Sequence, residues 1–336
     1  MAGYAAIRGL ASYLPPDVEV NGRDEESRRV AEALGIESRH VVQPGMSASD
    51  LAVGAAEEFF RRYPGSREQV DFMMLCTQFP DYYLPTTACL VAERLGMPKS
   101  VGALDYNLGC SGYVYGLAMA KGMVETGLAR HLLLITSSLN AQFAAPTDTA
   151  SRPLFGDGAT VTLIEAVEAE RPPLDAFVFG TDGKGYDGII VRVGGSRHPF
   201  RHTPEHPLEG DPFGRTNYDG NMDGMKIMRF SLREVPPLVE EVLAKAGIKR
   251  EDLDYCVFHQ ASKMILDFVQ KKAGLMDVPF WNDAHLLGNT VASTIPLALE
   301  ELLQQKSPQE LRRVLFAGFG VGLSWAGCVA DLGYML

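Results

Sequence analysis

The amino-acid sequence contains one succession of elements twice, and this repeat limits the chain to folds built from two similar units. An amphipathic helical stretch at 51–70 leads through a turn into an apolar, strand-like segment at 71–78. The same helix, turn and strand recur at 235–253 and 254–261, and in both copies the strand opens with aspartate and an aromatic residue. A repeat of this kind indicates duplicated supersecondary units.

The second part of each copy begins at a Leu-Gly turn and continues into an apolar helical pattern. These turns are LGCSG from Leu108 and LGNTV from Leu287, and each helix is followed by an apolar strand, at 130–138 and at 312–320. Continuous apolar strands between helices are typical of sheets that are covered on both faces. We therefore predict an α/β fold.

The two copies also predict how the chain is divided and where its site lies. We expect an N-terminal half at 1–170 and a C-terminal half at 171–336, related by a pseudo-twofold axis. The repeat superposes Cys110 on Asn289 as helix-start residues and places His259 at the end of a buried strand. Because helix starts and strand ends of the two halves meet near such an axis, these three side chains are expected to converge.

Composition excludes several classes of protein. Apolar residues make up 46% and charged residues 22% of the 336 residues, which excludes a disordered or fibrous chain. Asp and Glu number 42 against 31 Lys and Arg, and the net charge of −11 makes nucleic acid an unfavourable partner. The first residues lack a basic start, and no stretch reaches the roughly 18 apolar residues of a membrane span. We therefore expect a cytoplasmic protein without membrane contact.

Cysteine usage singles out one residue. Five cysteines without a CxxC pair favour reduced thiols, with neither a disulfide framework nor a zinc site. Four of them lie in apolar segments and are expected to be inert packing residues: Cys76, Cys89, Cys256 and Cys328. Cys110 instead lies at a predicted helix start, where unpaired N–H groups and the helix dipole favour the thiolate. A small residue that fills a tight strand-to-helix turn fits this segment equally well.

Seven short motifs extend this interpretation along nearly the whole chain. They are SYLP (12–15), GIESRH (35–40), LGCSG (108–112), FGDGA (155–159), HQAS (259–262), GNTVAS (288–293) and GFGVGLSWA (318–326). Together they resemble the thiolase superfamily and, within it, the 3-oxoacyl-(acyl-carrier-protein) synthase III branch. The resemblance implies a thiolase-like fold with layers in the order αβαβα, and a homodimer. It implies neither a metal nor an organic cofactor.

The resemblance also assigns roles to residues. Cys110 would accept an acyl group from an acyl thioester of coenzyme A or of an acyl carrier protein, while the backbone N–H groups of Cys110 and Val321 hold the oxyanion. His259, as an Nε2–H donor, and Asn289, as an amide donor, would hold the enolate that forms when a malonyl thioester loses carbon dioxide. Attack of this enolate on the acyl-cysteine gives a 3-oxoacyl thioester, the reaction of a condensing acyltransferase in fatty-acid or polyketide synthesis.

Departures from the family pattern indicate an unusual substrate. Ser262 replaces an asparagine, Val321 replaces a glycine, and the segment 21–35 lacks the tryptophan that stacks on coenzyme A in relatives that use acetyl-CoA. Leu84 stands where relatives often place phenylalanine. We therefore expect a primer other than acetate. Three residues are assigned to its pocket: Leu84, Met222 and Phe319.

Basic residues indicate where a carrier protein could dock. Four cationic side chains lie at positions that resemble the docking face of the family: Arg229, Lys263, Lys271 and Lys272. An acidic carrier protein would be attracted there despite the negative net charge of the chain. A solvated helix face accounts for these residues equally well.

The sequence is compatible with two other functions. An acyltransferase of the same fold would pass the acyl group from Cys110 to a hydroxyl or amine acceptor of secondary metabolism, and the altered Ser262 and Val321 are compatible with it. A dimeric scaffold with an inactive site would leave Cys110 unacylated by any thioester. Degradative thiolases are disfavoured, because they carry a second cysteine in the glycine loop and residues 318–322 contain none.

Overall fold

The computed structural model describes residues 3–22, 25–282 and 284–336, apart from the side chain of Glu26. Its strands are β1 (Gly3–Tyr13), β2 (Asp17–Val20), β3 (Ser38–Val41), β4 (Phe72–Cys76), β5 (Gly102–Tyr106), β6 (His131–Leu139), β7 (Asp157–Glu168), β8 (Leu174–Thr181), β9 (Ile189–Val191), β10 (Gly220–Met222), β11 (Tyr255–Phe258), β12 (Phe280–Trp281), β13 (Val314–Gly320) and β14 (Ser324–Ala330). Its α-helices are α1 (Glu25–Leu34), α2 (Ala48–Arg62), α3 (Thr87–Arg94), α4 (Gly112–Glu125), α5 (Gly224–Ala246), α6 (Lys263–Lys272), α7 (Ala284–Leu287) and α8 (Thr294–Gln305). Among the described residues, no helix has both the length and the apolar character needed to cross a bilayer.

Most of the strands form two five-stranded sheets with the same topology. The first sheet has the order β1-β7-β6-β4-β5 and the second has the order β8-β14-β13-β11-β12. In each sheet three neighbouring strands are parallel, and the other two add to them in antiparallel pairs. The repeat seen in the sequence is therefore present as two copies of one sheet, and the predicted α/β fold is confirmed.

Helices separate and cover the two sheets. α4 and α8 lie between them, where Leu117 and Leu299 share one buried cluster with Leu134 of the first sheet and Phe316 of the second. α2 and α3 cover the outer face of the first sheet, and α5 and α6 cover the outer face of the second. The layer order αβαβα is the predicted one. Because the central strands β4, β6 and β13 are covered on both faces, they are buried along almost their whole length.

The aspartate that opens each copy of the repeat has the same structural role twice. The Asp71 carboxylate accepts hydrogen bonds from the backbone N–H groups of residues 130–131, where β6 begins. The Asp254 carboxylate accepts hydrogen bonds from the backbone N–H groups of residues 312–313, just before β13. Each aspartate thus joins the starts of two neighbouring parallel strands. The duplicated sequence pattern reflects a duplicated pattern of hydrogen bonds.

The cysteines are all free, and one prediction about them is wrong. Cys76, Cys256 and Cys328 are buried in β4, β11 and β14, where burial raises the pKa of each thiol. Cys89, which was expected to be a packing residue, is exposed on α3. The reason is that only the opposite face of this short helix packs against the first sheet.

Asp157 of the FGDGA motif is a buried carboxylate that holds two loops. Its oxygens accept hydrogen bonds from the backbone N–H groups of Val42 and Ala141. Burial acts against these bonds and is the stronger effect, so the pKa of Asp157 is raised to about 6. The ionised carboxylate is therefore less stable in the folded protein than in water.

Replacing Asp157 with asparagine is expected to change the pH dependence of stability. Folding raises the pKa of Asp157 from 3.8 to about 6, so the protonated carboxyl favours the folded state. This stabilising contribution is complete below pH 3.8 and is lost as the pH rises through 6. The loss amounts to about 3 kcal/mol. Chemical denaturation of both proteins across this pH range should show a decline in the free energy of unfolding that Asp157→Asn lacks. Parallel pH profiles would contradict this expectation.

Candidate active site

The predicted nucleophile lies in the turn that joins β5 to α4. Cys110 is 6% exposed, and α4 begins two residues later at Gly112. Two backbone N–H groups, that of Cys110 itself and that of Val321, face the sulfur and favour its thiolate form. These are the same two N–H groups that the sequence assigned to an oxyanion, so both donors face the atom that would react.

The Cys110 thiol has a raised pKa, contrary to the effect expected of a helix N-terminus. Burial disfavours the thiolate and raises the pKa to about 12, and the two N–H donors offset only part of this shift. The reason is that the turn is enclosed by the C-terminal half rather than open to water. The buried thiol therefore needs an acceptor for its proton when it reacts.

The end of β13 lies directly against the nucleophile. A Cβ atom on Gly320 would be 2.5 Å from the Cys110 sulfur, and a Cβ atom on Gly109 would overlap a methyl group of Val321. Glycine at both positions permits this close approach of the two backbones. A role for the Val321 amide was predicted from the sequence, whereas the role of Gly320 was not, although the alternating glycines of GFGVG indicate a backbone that packs closely.

His259 and Asn289 of the C-terminal half face each other. His259 follows β11 and is 2% exposed, and its ring Nε2 lies 3.5 Å from Asn289 Nδ2. The side-chain oxygen of Asn289 accepts a hydrogen bond of 2.9 Å from the Val291 N–H. The amide nitrogen is therefore the atom that faces the ring, and it also lies 3.4 Å from the carbonyl oxygen of Ala261.

Both halves of the chain position these groups. The Asn289 backbone N–H donates a hydrogen bond to the Leu154 carbonyl, and the Gly156 N–H donates one to the Asn289 carbonyl. Phe319 packs edge-on against His259, with ring centroids 5.7 Å apart, and the next residue, Gly320, lies against the Cys110 sulfur. The three predicted catalytic side chains are thus arranged around the end of β13.

His259 is a neutral imidazole that contacts a residue the sequence did not reveal. Burial lowers the pKa of His259 to about 3. Its Nδ1 lies 2.8 Å from the hydroxyl oxygen of Thr294. A signal was available: Thr294 lies at the start of α8, five residues after Asn289, and is followed by five apolar residues.

The residues assigned to the acyl pocket occupy different environments. Phe319 is buried beside His259. Met222 is half-buried and packs near Ile36 and Leu154. Leu84 is 81% exposed, so it lies on the surface of the single chain.

The unusual Ser262 caps a helix. Its hydroxyl oxygen accepts a hydrogen bond of 3.4 Å from the Ile265 N–H at the start of α6. Serine is among the preferred residues at this position because it satisfies an otherwise unpaired N–H group. Ser262 therefore has a structural role in this chain.

Family models match both halves of the chain. Residues 104–183 match the model described as 3-Oxoacyl-[acyl-carrier-protein (ACP)] synthase III, and residues 243–332 match the model of its C-terminal part. The beta-ketoacyl-[acyl-carrier-protein] synthase III of Caldanaerobacter subterraneus is 31% identical over 331 residues, which cover 97% of each chain.

Solved structures have the same fold over the same length. A crystal structure of a 3-oxoacyl-(acyl-carrier-protein) synthase III matches with a TM-score of 0.91 and 42% identity, over 98% of this chain and 99% of that one. The priming beta-ketosynthase of the R1128 polyketide pathway matches with a TM-score of 0.79 and 25% identity, over 97% and 96%. The chain therefore belongs to the 3-oxoacyl-(acyl-carrier-protein) synthase III family of the thiolase superfamily.

Proposed function

We propose that this protein is a condensing enzyme that loads an acyl group onto Cys110 and joins it to a malonyl thioester with loss of carbon dioxide. The observation that supports this most directly is the arrangement around the end of β13, where two backbone N–H groups and Gly320 face the Cys110 sulfur and Phe319 packs against His259, which in turn faces Asn289. Such donors stabilise the oxyanion of acyl transfer. The product is a 3-oxoacyl thioester.

Mass spectrometry and gas release test this proposal together. The intact protein, incubated with acyl thioesters, should gain the mass of one acyl group, and peptide mapping should locate it on Cys110. Addition of a malonyl thioester should then remove the acyl group and release one carbon dioxide per acyl group lost. A protein that no thioester acylates would contradict the proposal and would favour the inactive scaffold.

A second candidate is an acyltransferase that uses a hydroxyl or amine acceptor. Its support was the altered Ser262 and Val321, but Ser262 caps α6 and the Val321 N–H still faces the sulfur. Both substitutions therefore have roles that fit a condensing enzyme. Loss of the acyl group to an alcohol or amine without release of carbon dioxide would favour this second candidate.

We further propose a primer other than acetate. The segment 21–35 contains neither tryptophan nor any other aromatic residue, so a flat adenine has no aromatic partner within it. A relative that primes polyketide synthesis has the same fold. In competition, longer acyl thioesters should load Cys110 faster than acetyl-CoA. Fastest loading by acetyl-CoA would overturn this part of the proposal.

A second copy of the chain is proposed to supply Leu84 to the pocket. Tyr82, Tyr83 and Leu84 are 60, 76 and 81% exposed, an unusual concentration of large apolar surface on one loop. The carboxylate of Asp81 anchors this loop through hydrogen bonds from Ser47 and Ser49. Sedimentation should therefore find a dimer, which Leu84→Glu should weaken.

Activity is expected to need both halves of the chain, which we place at 1–170 and 171–336. Cys110 belongs to the first half, whereas His259 and Asn289 belong to the second. Neither half alone therefore holds both the nucleophile and the pair that binds the malonyl thioester.

The exposed face of α6 is proposed to receive an acidic carrier protein. Met264 and Phe268 are 41% and 49% exposed on this helix, and Lys271 lies one turn further on. Apolar side chains next to a positive charge suit an acidic, amphipathic partner.

The four predicted docking residues differ in availability. Lys263 forms an ion pair with Asp267, and Lys272 donates a hydrogen bond to the Leu232 carbonyl. Within the part of the chain that the structure describes, Arg229 and Lys271 form no side-chain hydrogen bond or ion pair. These two cations are therefore the ones most available to a partner.

Replacing Lys271 with glutamate is expected to raise the apparent KM for a carrier-bound thioester by about threefold or more, because it reverses a charge at the contact. Loading from a coenzyme A thioester should not change, since that donor lacks the acidic protein surface that Lys271 would contact. The matched control is Lys99→Glu, the same charge change on the exposed loop between α3 and β5. Equal KM values for the two variants would contradict docking at α6.

A further inference from the structure

Three parallel strands of the first sheet end at the edge that carries the nucleophile. β5 and β6 both pair with β4, so the three strands are neighbours. Cys110 follows β5, Gln78 follows β4 and Asn140 follows β6. In α/β sheets, ligands bind beyond the carboxyl ends of the strands. The topology therefore places two side-chain amides at the same edge as the reacting sulfur.

Gln78 lies against the turn that holds Cys110. A Cβ atom on Gly109 would be 2.7 Å from Gln78 Oε1 and would also overlap a methyl group of Val321. The side chains of Gln78 and Val321 thus meet at the residue that precedes the nucleophile. Gln78 is half-buried, and among the residues that the structure describes its amide has no hydrogen-bond partner.

Asn140 is the second unpaired amide at this edge. Its Nδ2 atom is buried and has no hydrogen-bond partner in the described part of the chain. The loop that begins at Asn140 packs against the segment of Gln78 through Phe143 and Phe79, whose stacked rings have centroids 4.5 Å apart. The two amides therefore belong to neighbouring segments that are held together.

The loop that follows β6 also contacts the strand that carries a predicted pocket residue. A Cβ atom on Gly220 would be 3.2 Å from the Phe143 carbonyl oxygen. Gly220 begins β10, and this strand ends at Met222, which the sequence assigned to the acyl pocket. The amides thus lie on the elements that surround the predicted path of the acyl chain.

Unpaired amides make such a pocket selective. A side-chain amide offers two N–H donors and one oxygen acceptor. A hydrocarbon chain that displaces water from these groups leaves them without partners, and enclosing them in that state is unfavourable. A chain that carries an oxygen atom replaces the lost hydrogen bonds. Sites that bind a polar group of the substrate discriminate strongly against analogues that lack it, for this reason.

We propose that Gln78 and Asn140 are specificity-determining residues that select a primer whose acyl chain carries a hydroxyl or carbonyl oxygen. The inference rests on the proposed condensing function and names the class of acyl group that Cys110 accepts. Because Gln78 contacts the residue next to Cys110, the selected oxygen lies near the thioester, on the third or fourth carbon of the chain.

Two matched pairs of pantetheine thioesters test the proposal. They are 3-hydroxybutanoyl against 3-methylbutanoyl and 4-oxopentanoyl against 4-methylpentanoyl, so that in each pair a methyl group takes the place of the oxygen. Intact-mass spectrometry measures the single-turnover rate of Cys110 acylation. The oxygenated member of at least one pair should load at least about tenfold faster. Equal rates, or faster loading of the hydrocarbon member, in both pairs would overturn the proposal.

Leucine variants test whether the two amides cause this preference. Gln78→Leu and Asn140→Leu keep the approximate size of the side chain but remove its hydrogen-bonding groups, so the ratio within the preferred pair should fall to within about threefold of one. The matched control is Gln304→Leu, the same change on the exposed end of α8, which should keep the wild-type ratio. A wild-type ratio in both test variants would overturn the assignment. If neither variant folds, the wild-type ratios decide.

A failure of the proposed function gives a different result. In that case no member of either pair acylates Cys110, and the inference about the primer falls with the function. Loading of the hydrocarbon members at rates equal to the oxygenated ones would instead leave the condensing function standing and overturn only the selected primer.

Discussion

Replacing Cys110 with alanine is expected to abolish acyl loading and to lower condensation by at least about 10³-fold, because the variant has no nucleophile to carry the acyl group. Intact-mass spectrometry should find no acyl adduct, and product formation should fall to background. The thermal transition should change little, since the substitution removes one atom from a side chain that lies in a turn and is 6% exposed.

The matched control for this prediction is Cys89→Ala. Cys89 is the exposed thiol on α3, outside the candidate site, and its removal should leave loading at the wild-type rate. An acyl adduct on Cys110→Ala would place the nucleophile elsewhere. Loss of loading in Cys89→Ala would also contradict the assignment.

Gly320→Ala is expected to slow acylation of Cys110 by about 10²-fold or more. The new Cβ atom would lie 2.5 Å from the sulfur, which is closer than packed atoms allow, so the thiol or the end of β13 must move. A misplacement of about 1 Å at a reacting atom can lower the rate by about 10²-fold. Overpacking in the buried strand should also lower the free energy of unfolding by about 1–3 kcal/mol. Single-turnover acylation and chemical denaturation measure the two effects.

Gly122→Ala is the matched control, because it adds the same methyl group on the helix that follows Cys110. No atom lies within 4 Å of a Cβ at Gly122, and alanine favours the helix more than glycine does. This variant should acylate normally and be more stable by about 0.5–1 kcal/mol. If Gly320→Ala loads as fast as Gly122→Ala, the close approach of β13 does not position the sulfur.

The layered fold could be predicted from the sequence because its determinants are local and occur twice. Apolar strands, amphipathic helices and the aspartates at 71 and 254 all recur in the same order. Each aspartate accepts hydrogen bonds from the start of the neighbouring strand in its own sheet, so the repeated sequence pattern corresponds to a repeated arrangement of strands. Exposure was harder to predict, as Cys89 shows, because a short helix with mostly apolar residues does not reveal which face meets the sheet.

The sequence by itself determined the two-copy α/β architecture, the family, and the assignment of Cys110, His259 and Asn289 as candidates. The tertiary structure alone decided that the thiol is buried and protonated, that Gly320 lies against it, and that Thr294 contacts the His259 ring. The physical reason is that these properties depend on distances between residues that are far apart in the chain. Periodicity and motifs report which element a residue belongs to, whereas a pKa or a tautomer depends on the atoms that packing places around it.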